Sequence, residues 1–205
     1  MSDLERRSID QFNAWSKDYD RKRYWPFYFS NRAIVHVLNP QPGFHILDVG
    51  CGTGILLQQL HQLRRGLKLA GVDIAPEMVK VAQAKLDKES AVIRQGSASD
   101  LPYEDNSFDG VTCANSFHHY PDPDNALREM RRVLRSGGKL FLLDPFTNGF
   151  LRKAICKTLD VLYKEQGTQL FTKEQMCRMF QEAGFCPIEQ RPYACYKLIT
   201  IGVKD

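Results

Sequence analysis

The chain has 205 residues, enough for one domain with a sizeable core, and its 43% hydrophobic and 25% charged composition is that of a soluble globular protein. A net charge of +4, from 28 basic and 24 acidic residues, is too mild to argue for a nucleic-acid partner. No apolar run approaches the roughly 18 residues of a membrane span, and the mixed-charge start "MSDLERRSIDQF" has no apolar signal core, so a cytoplasmic protein is expected.

In chain order, apolar runs alternate with amphipathic helical patterns. "FHILDV" (44–49) reads as a buried strand, and "ILLQQLHQL" (55–63) as a helix with Leu56, Leu60 and Leu63 on one face. "LKLAGVD" (67–73) is a second strand. "PEMVKVAQAKLDK" (76–88) opens with proline in a first-turn position and aligns Met78, Ala82 and Leu86. "AVIRQ" (91–95) and "FDGVTCA" (108–114) are the third and fourth strands. "PDNALREMRRVLR" (123–135) places Ala126, Leu127, Met130, Val133 and Leu134 at helical spacing, with Gly137 and Gly138 as the stop before a fifth strand, "KLFLLD" (139–144). A helix is expected over 151–164, and another after Thr172, where Gln175 completes a capping-box pattern and Gly184 ends it. The tail "CPIEQRPYACYKLITIGVK" reads as two strands with a bend near Ala194, an antiparallel hairpin at a sheet edge.

Strand–helix alternation with short turns predicts an α/β fold: a doubly wound, mostly parallel sheet with helices on both faces. One domain is expected, with an N-terminal helical region (1–40), a ligand-binding core (41–145) and C-terminal helices with the edge hairpin (146–205). Its ligand crevice should lie at the carboxyl ends of the strands. None of the six cysteines forms a C-x-x-C pair, so free thiols are expected.

The chemistry concentrates in "ILDVGCGTG" (46–54). Three glycines in five residues let the backbone turn sharply and approach a ligand closely. The helix that follows directs N–H groups and a positive dipole end at that ligand. The spacing is G-x-G-x-G rather than the G-x-G-x-x-G of a pyrophosphate loop. Asp48, just before it, would repel a pyrophosphate but attract an ammonium group. Asp73 ends the second strand about 20 residues on, the place for an acid that takes a ribose diol, and Ile74 follows it, able to pack on an adenine. An amino acid joined to ribose and adenine is S-adenosylmethionine.

Together "ILDVGCGTG", "GVDIAPEMVKVAQAK", "LPYEDNSFDGV" and "LREMRRVLRSGGKLFLLDP" resemble the class I S-adenosylmethionine-dependent methyltransferases. The likeness, covering roughly residues 10 to 145, is greatest to the small-molecule branch that includes the ubiquinone and menaquinone C-methyltransferases. It implies a seven-stranded Rossmann-like sheet. It also implies that Asp48, Gly50, Cys51, Gly52 and Gly54 hold the methionine part, Asp73 the ribose, and Ile74 and Met78 the adenine. The loop after strand three usually carries an acid for the adenine amino group. Here "GSASDLP" puts Ser97 in its place, beside Ala98. "FNAWSKDYD" resembles a segment that folds over the cofactor, which makes Tyr19 a candidate contact, although Phe12, Trp15 and Tyr19 also fit an ordinary apolar helix face. In "ANSFHHYPDPD" the resemblance brings Asn115 and Ser116 towards the methionine part.

His118 and His119 are candidates for a general base, with Tyr19, Tyr24 or Tyr120 as weaker ones. A hydrogen-bonded pair that only holds the loop fits the two histidines equally well. Adjacent histidines diverge and no third ligand is evident, so no metal is expected. The aromatic run "YWPFYFS" (24–30) suits an apolar or planar acceptor, or an anchor for the first helices. The basic residues Arg21, Lys22 and Arg23 read as a solvated face or as a contact for an anionic acceptor, and Arg128, Arg131, Arg132 and Arg135 read as a solvated face. The expected function is methyl transfer from S-adenosylmethionine to a small acceptor at O, N, C or S, leaving S-adenosylhomocysteine. A non-catalytic cofactor-binding protein and an RNA or protein methyltransferase are the alternatives. A nicotinamide oxidoreductase is disfavoured by the glycine spacing and Asp48.

Overall fold

The computed structural model describes residues 3–149, 153–158 and 168–205, with the side chains of residues 22–27 outside that description. Two helices come first, α1 (Asp3–Trp15) and α2 (Tyr19–Leu38). Then follow β1 (His45–Val49), α3 (Ile55–Leu63), β2 (Lys68–Asp73), α4 (Pro76–Lys85), β3 (Ala91–Gln95) and β4 (Phe108–Ala114). A 3-10 turn (Phe117–His119) leads to α5 (Pro123–Val133), β5 (Leu134–Pro145), α6 (Lys173–Glu182), β6 (Phe185–Tyr193) and β7 (Lys197–Lys204).

The seven strands form one sheet in the order β3-β2-β1-β4-β5-β7-β6. The β1, β2, β3, β4 and β5 neighbours pair in parallel, and β7 runs antiparallel to both β5 and β6. Chain direction across the sheet reverses beside β1: β2 and β3 lie to one side and β4 to the other. The crevice between the carboxyl ends of β1 and β4 is therefore the switch point where α/β sheets bind ligands.

Alternation along each strand feeds two cores. In β5, Leu140 and Leu142 point into a cluster with Met130 and Phe180 from α5 and α6. Phe141 and Leu143 point the other way, into a cluster with Ile34, Leu56 and Val79 from α2, α3 and α4. Helices on both faces bury both sides of the sheet, so the inner strands carry near-continuous apolar runs.

Several boundaries differ from the sequence reading. Helix α5 stops at Val133, and Leu134 already pairs with Phe108 as the first residue of β5. Leu134 is buried, so its periodicity within the helix pattern came from a strand side chain facing the same core. Gly137 and Gly138 therefore lie inside the early, bulged part of β5 and do not stop the helix. Helix α4 ends at Lys85, although Leu86 is still buried as its cap. In α3, Leu63 is 53% exposed, and Leu57 joins Leu56 and Leu60 in the core. Of the helix expected over 151–164, the described residues include helical 153–158, and the rest lies outside them. The expected capping box of α6 is present: Thr172 accepts from the Gln175 N–H, and the Gln175 side chain accepts from the Thr172 N–H. The hairpin turns at Ala194, which takes a positive φ of 54°.

Candidate functional site

A glycine turn joins β1 to α3. Gly50 and Cys51 donate N–H bonds of 2.8 and 3.0 Å to the Val72 carbonyl, which fixes the turn to the end of β2. Gly50, Gly52 and Gly54 have φ of 71°, 52° and 78°, which glycine adopts without strain. A Cβ on Gly50 would lie 2.4 Å from Ser116 Oγ, whereas one on Gly52 would meet nothing within 4 Å. The loop is thus packed on one side and open on the other, over a cleft at the carboxyl ends of the strands.

All the sequence-predicted cofactor positions except Gly54 line this cleft: Tyr19, Asp48, Gly50, Cys51, Gly52, Asp73, Ile74, Met78, Ser97, Ala98 and Asn115. Gly54 sits behind them as the N-cap of α3, against Ala82 and Leu86. Asp48 is 3% exposed and accepts 2.7 Å from the Thr112 hydroxyl. Burial pushes its carboxyl up to about 7, the charge of Asp73 adds to the rise, and the Thr112 bond opposes it. Asp73 accepts from the Gly52 N–H on one oxygen (2.8 Å) and the Ala75 N–H on the other (2.9 Å). Burial raises its carboxyl too, and those two N–H groups counter the rise.

The histidine pair divides. His119 lines the cleft, with the Phe12 ring edge-on at 5.1 Å. His118 lies behind it, 4% exposed, with Nδ1 2.9 Å from Asp144 Oδ1 at the end of β5. The two imidazoles are 4.1 Å apart. Gln169 braces this turn from the C-terminal segment: its N–H donates to the His118 carbonyl at 2.7 Å and its side chain to the Tyr120 carbonyl at 2.8 Å. Tyr120 lines the cleft, but its hydroxyl is tied to Ser116 Oγ at 3.0 Å, and burial raises it well above the usual phenol range, which makes it a poor base. Tyr24 lies outside the described side chains, as do Trp25 and Phe27.

The sequence reading expected "FNAWSKDYD" to fold over the cofactor but missed the contacts that hold the N-terminal helices there. Asp20, at the start of α2, accepts from the Thr53 hydroxyl and from Lys85 Nζ, both at 2.5 Å. Lys85 also donates to the Thr53 carbonyl at 2.8 Å, so α2, the glycine loop and α4 share one charged knot. The signal was the acid after Tyr19 in "DYD". Asn13 of α1 accepts from the Glu77 N–H at the start of α4 (3.1 Å), and Glu5 reaches the Ser97 hydroxyl. No periodicity marks Glu5; only the docking of α1 brings it to the cleft. Asn115, at φ 58°, accepts from Lys197 Nζ, and its amide nitrogen lies 3.4 Å from Ser30 Oγ and Asn31 Oδ1.

The sheet order, the switch-point cleft and the acid-flanked glycine turn are the architecture of the class I methyltransferases. Comparisons with known proteins agree. A family model described as a methyltransferase domain matches residues 47–142. The demethylmenaquinone methyltransferase of Alkalihalophilus pseudofirmus is 29% identical over 224 residues, covering 96% of this chain and 87% of the relative. A ubiquinone biosynthesis O-methyltransferase of Xanthomonas oryzae pv. oryzae is 39% identical over 148 residues, 65% of this chain and 59% of the relative. Among solved structures, the methyltransferase in a complex with the Haloferax volcanii Trm112 activator superposes with a TM-score of 0.80 at 22% identity, over 94% of this chain and 96% of that one. An S-adenosylmethionine-dependent methyltransferase of Thermotoga maritima gives 0.77 at 22% identity, over 95% and 98%. These two likenesses show the shared fold. The chain is an S-adenosylmethionine-dependent methyltransferase, and it resembles the class I enzymes of quinone biosynthesis.

Proposed function

We propose that the protein methylates a small, planar, hydroxylated acceptor, a phenol or an enolisable ring, held beside His119. The observation that supports this most is the division of the cleft. Carboxylates and the glycine turn wall one part of it, while the Phe12, Tyr19 and His119 rings gather around another. Relatives named for demethylmenaquinone and ubiquinone biosynthesis agree with a small aromatic acceptor.

S-adenosylmethionine brings a methyl group on a sulfonium that is already a good leaving group. The chain's residues have to bind, orient and deprotonate. Asp48 faces the ammonium, the turn at Gly50 and Gly52 takes the carboxylate, and Asp73 takes the ribose diol while staying fixed by two backbone N–H groups. The open face of Gly52 fits a ligand pressed against the backbone. Helices α1 and α2 cover the cleft and exclude water, which strengthens each polar contact inside it. His119 accepts the acceptor's proton, and the His118–Asp144 pair beneath it fixes the turn that carries it. No helix among the described residues is long and apolar enough to cross a membrane.

The test is incubation with methyl-labelled donor, a metabolite extract and a panel of phenols and hydroquinones. The expected result is label on an extractable methyl ether or ring-methylated phenol. Label confined to RNA or protein fractions would overturn the proposal.

A further inference from the structure

We propose that Glu5, from the N-terminal helix, supplies the carboxylate that recognises the adenine amino group of the donor, in place of the acid missing at Ser97. The inference rests on S-adenosylmethionine as the donor and on Asp73 as its ribose ligand. Asp48, Asp73 and Ser97 mark the carboxyl ends of β1, β2 and β3, three neighbouring strands spaced about 4.8 Å apart. A ligand whose amino acid lies at Asp48 and whose ribose lies at Asp73 extends its base past Ile74 and Met78 towards Ser97 and Ala98. These four residues line the same cleft as Glu5.

An adenine amino group offers two donors, and leaving them dry and unmatched is costly. The Ser97 hydroxyl is a poor match. It donates to Glu5 Oε1 at 3.4 Å and accepts the Ser99 N–H at 3.2 Å, so its proton and one lone pair are engaged. Asp100 is exposed, turned back in a bridge with Ser97, and does not line the cleft. Glu5 does line it, half-buried. A carboxylate accepts several hydrogen bonds, so the Ser97 contact does not exclude a second donor. Glu5 reaches the cleft because α1 is pinned at Asn13 to the Glu77 N–H and at Phe12 to the His119 ring. A charge-assisted bond from the base to Glu5 would therefore couple donor binding to closure of α1 over the acceptor site.

The test compares S-adenosylhomocysteine with its purine-riboside counterpart, in which hydrogen replaces the 6-amino group, by titration calorimetry. The two carry the same charge, so long-range attraction cancels. Wild-type protein should prefer the amino form by about tenfold. Glu5→Ala should bind the amino form about tenfold more weakly and the purine form within twofold of wild type. Glu5→Gln, isosteric and still an acceptor, should fall between and guards against misfolding; thermal melting confirms that each variant is folded, as expected for a helix with no fully buried residue. Equal losses for both ligands, or no loss for either, would overturn the assignment. Failure of the wild type to bind either ligand would instead overturn the donor reading beneath it.

Discussion

Asp48→Asn separates stability from donor binding. Asp48 is 3% exposed, and its carboxyl is raised from an ordinary 3.8 to about 7, chiefly by burial. Between those values the unfolded chain holds a carboxylate while the folded protein holds the neutral acid. The associated stability is complete below 3.8 and is lost as pH rises through about 7. Linkage puts the cost at roughly 4 kcal/mol at pH 8 and roughly 2 kcal/mol at pH 5, a difference of roughly 2–3 kcal/mol. Asparagine is neutral at both pH values and can still accept the Thr112 bond. In a protein of this size, the melting temperature of the variant relative to wild type should therefore climb by roughly 5–10 °C from pH 5 to pH 8 in the ligand-free state. Donor affinity should move the opposite way, weakening more than about tenfold at pH 8 because an amide cannot pair with the ammonium. Scanning fluorimetry at the two pH values and calorimetry with S-adenosylmethionine read both effects. An offset in melting temperature that is the same at pH 5 and pH 8, or an unchanged affinity, would refute the electrostatic account.

Asp73→Ala removes the proposed ribose partner and also strands the Gly52 and Ala75 N–H groups, so donor affinity should fall more than about tenfold with some loss of stability; unchanged affinity by calorimetry would remove Asp73 from the site. Gly50→Ala must place a Cβ 2.4 Å from Ser116 Oγ at a φ of 71°, and should cost more than about 2 kcal/mol in urea unfolding. His119→Ala should leave donor affinity within about twofold and reduce single-turnover methyl transfer by about 100-fold or more; retained turnover would dismiss it as the base.

The glycine turn was readable in the chain because each of its constraints is local. Backbone torsion demands glycine at Gly50 and Gly54, and parallel pairing fixes Asp48 and Asp73 at adjacent strand ends. Leu134 was misread because a residue facing the same core fits helical and strand periodicity alike at a junction. The histidines could not be told apart from the chain. Adjacent side chains point to different places, and only the end of β5, carrying Asp144 26 residues away, decides which one is buried.

The sequence by itself therefore determined the sheet, the glycine turn and the class of cofactor, since short-range torsions, the two-residue strand period and the order of the motifs dictate them. Tertiary structure decided what closes the cleft: Glu5 against Ser97 and Asp20 against Thr53 and Lys85. Such pairings join residues 33 to 92 positions apart, and a polar side chain's partner depends on where distant elements dock.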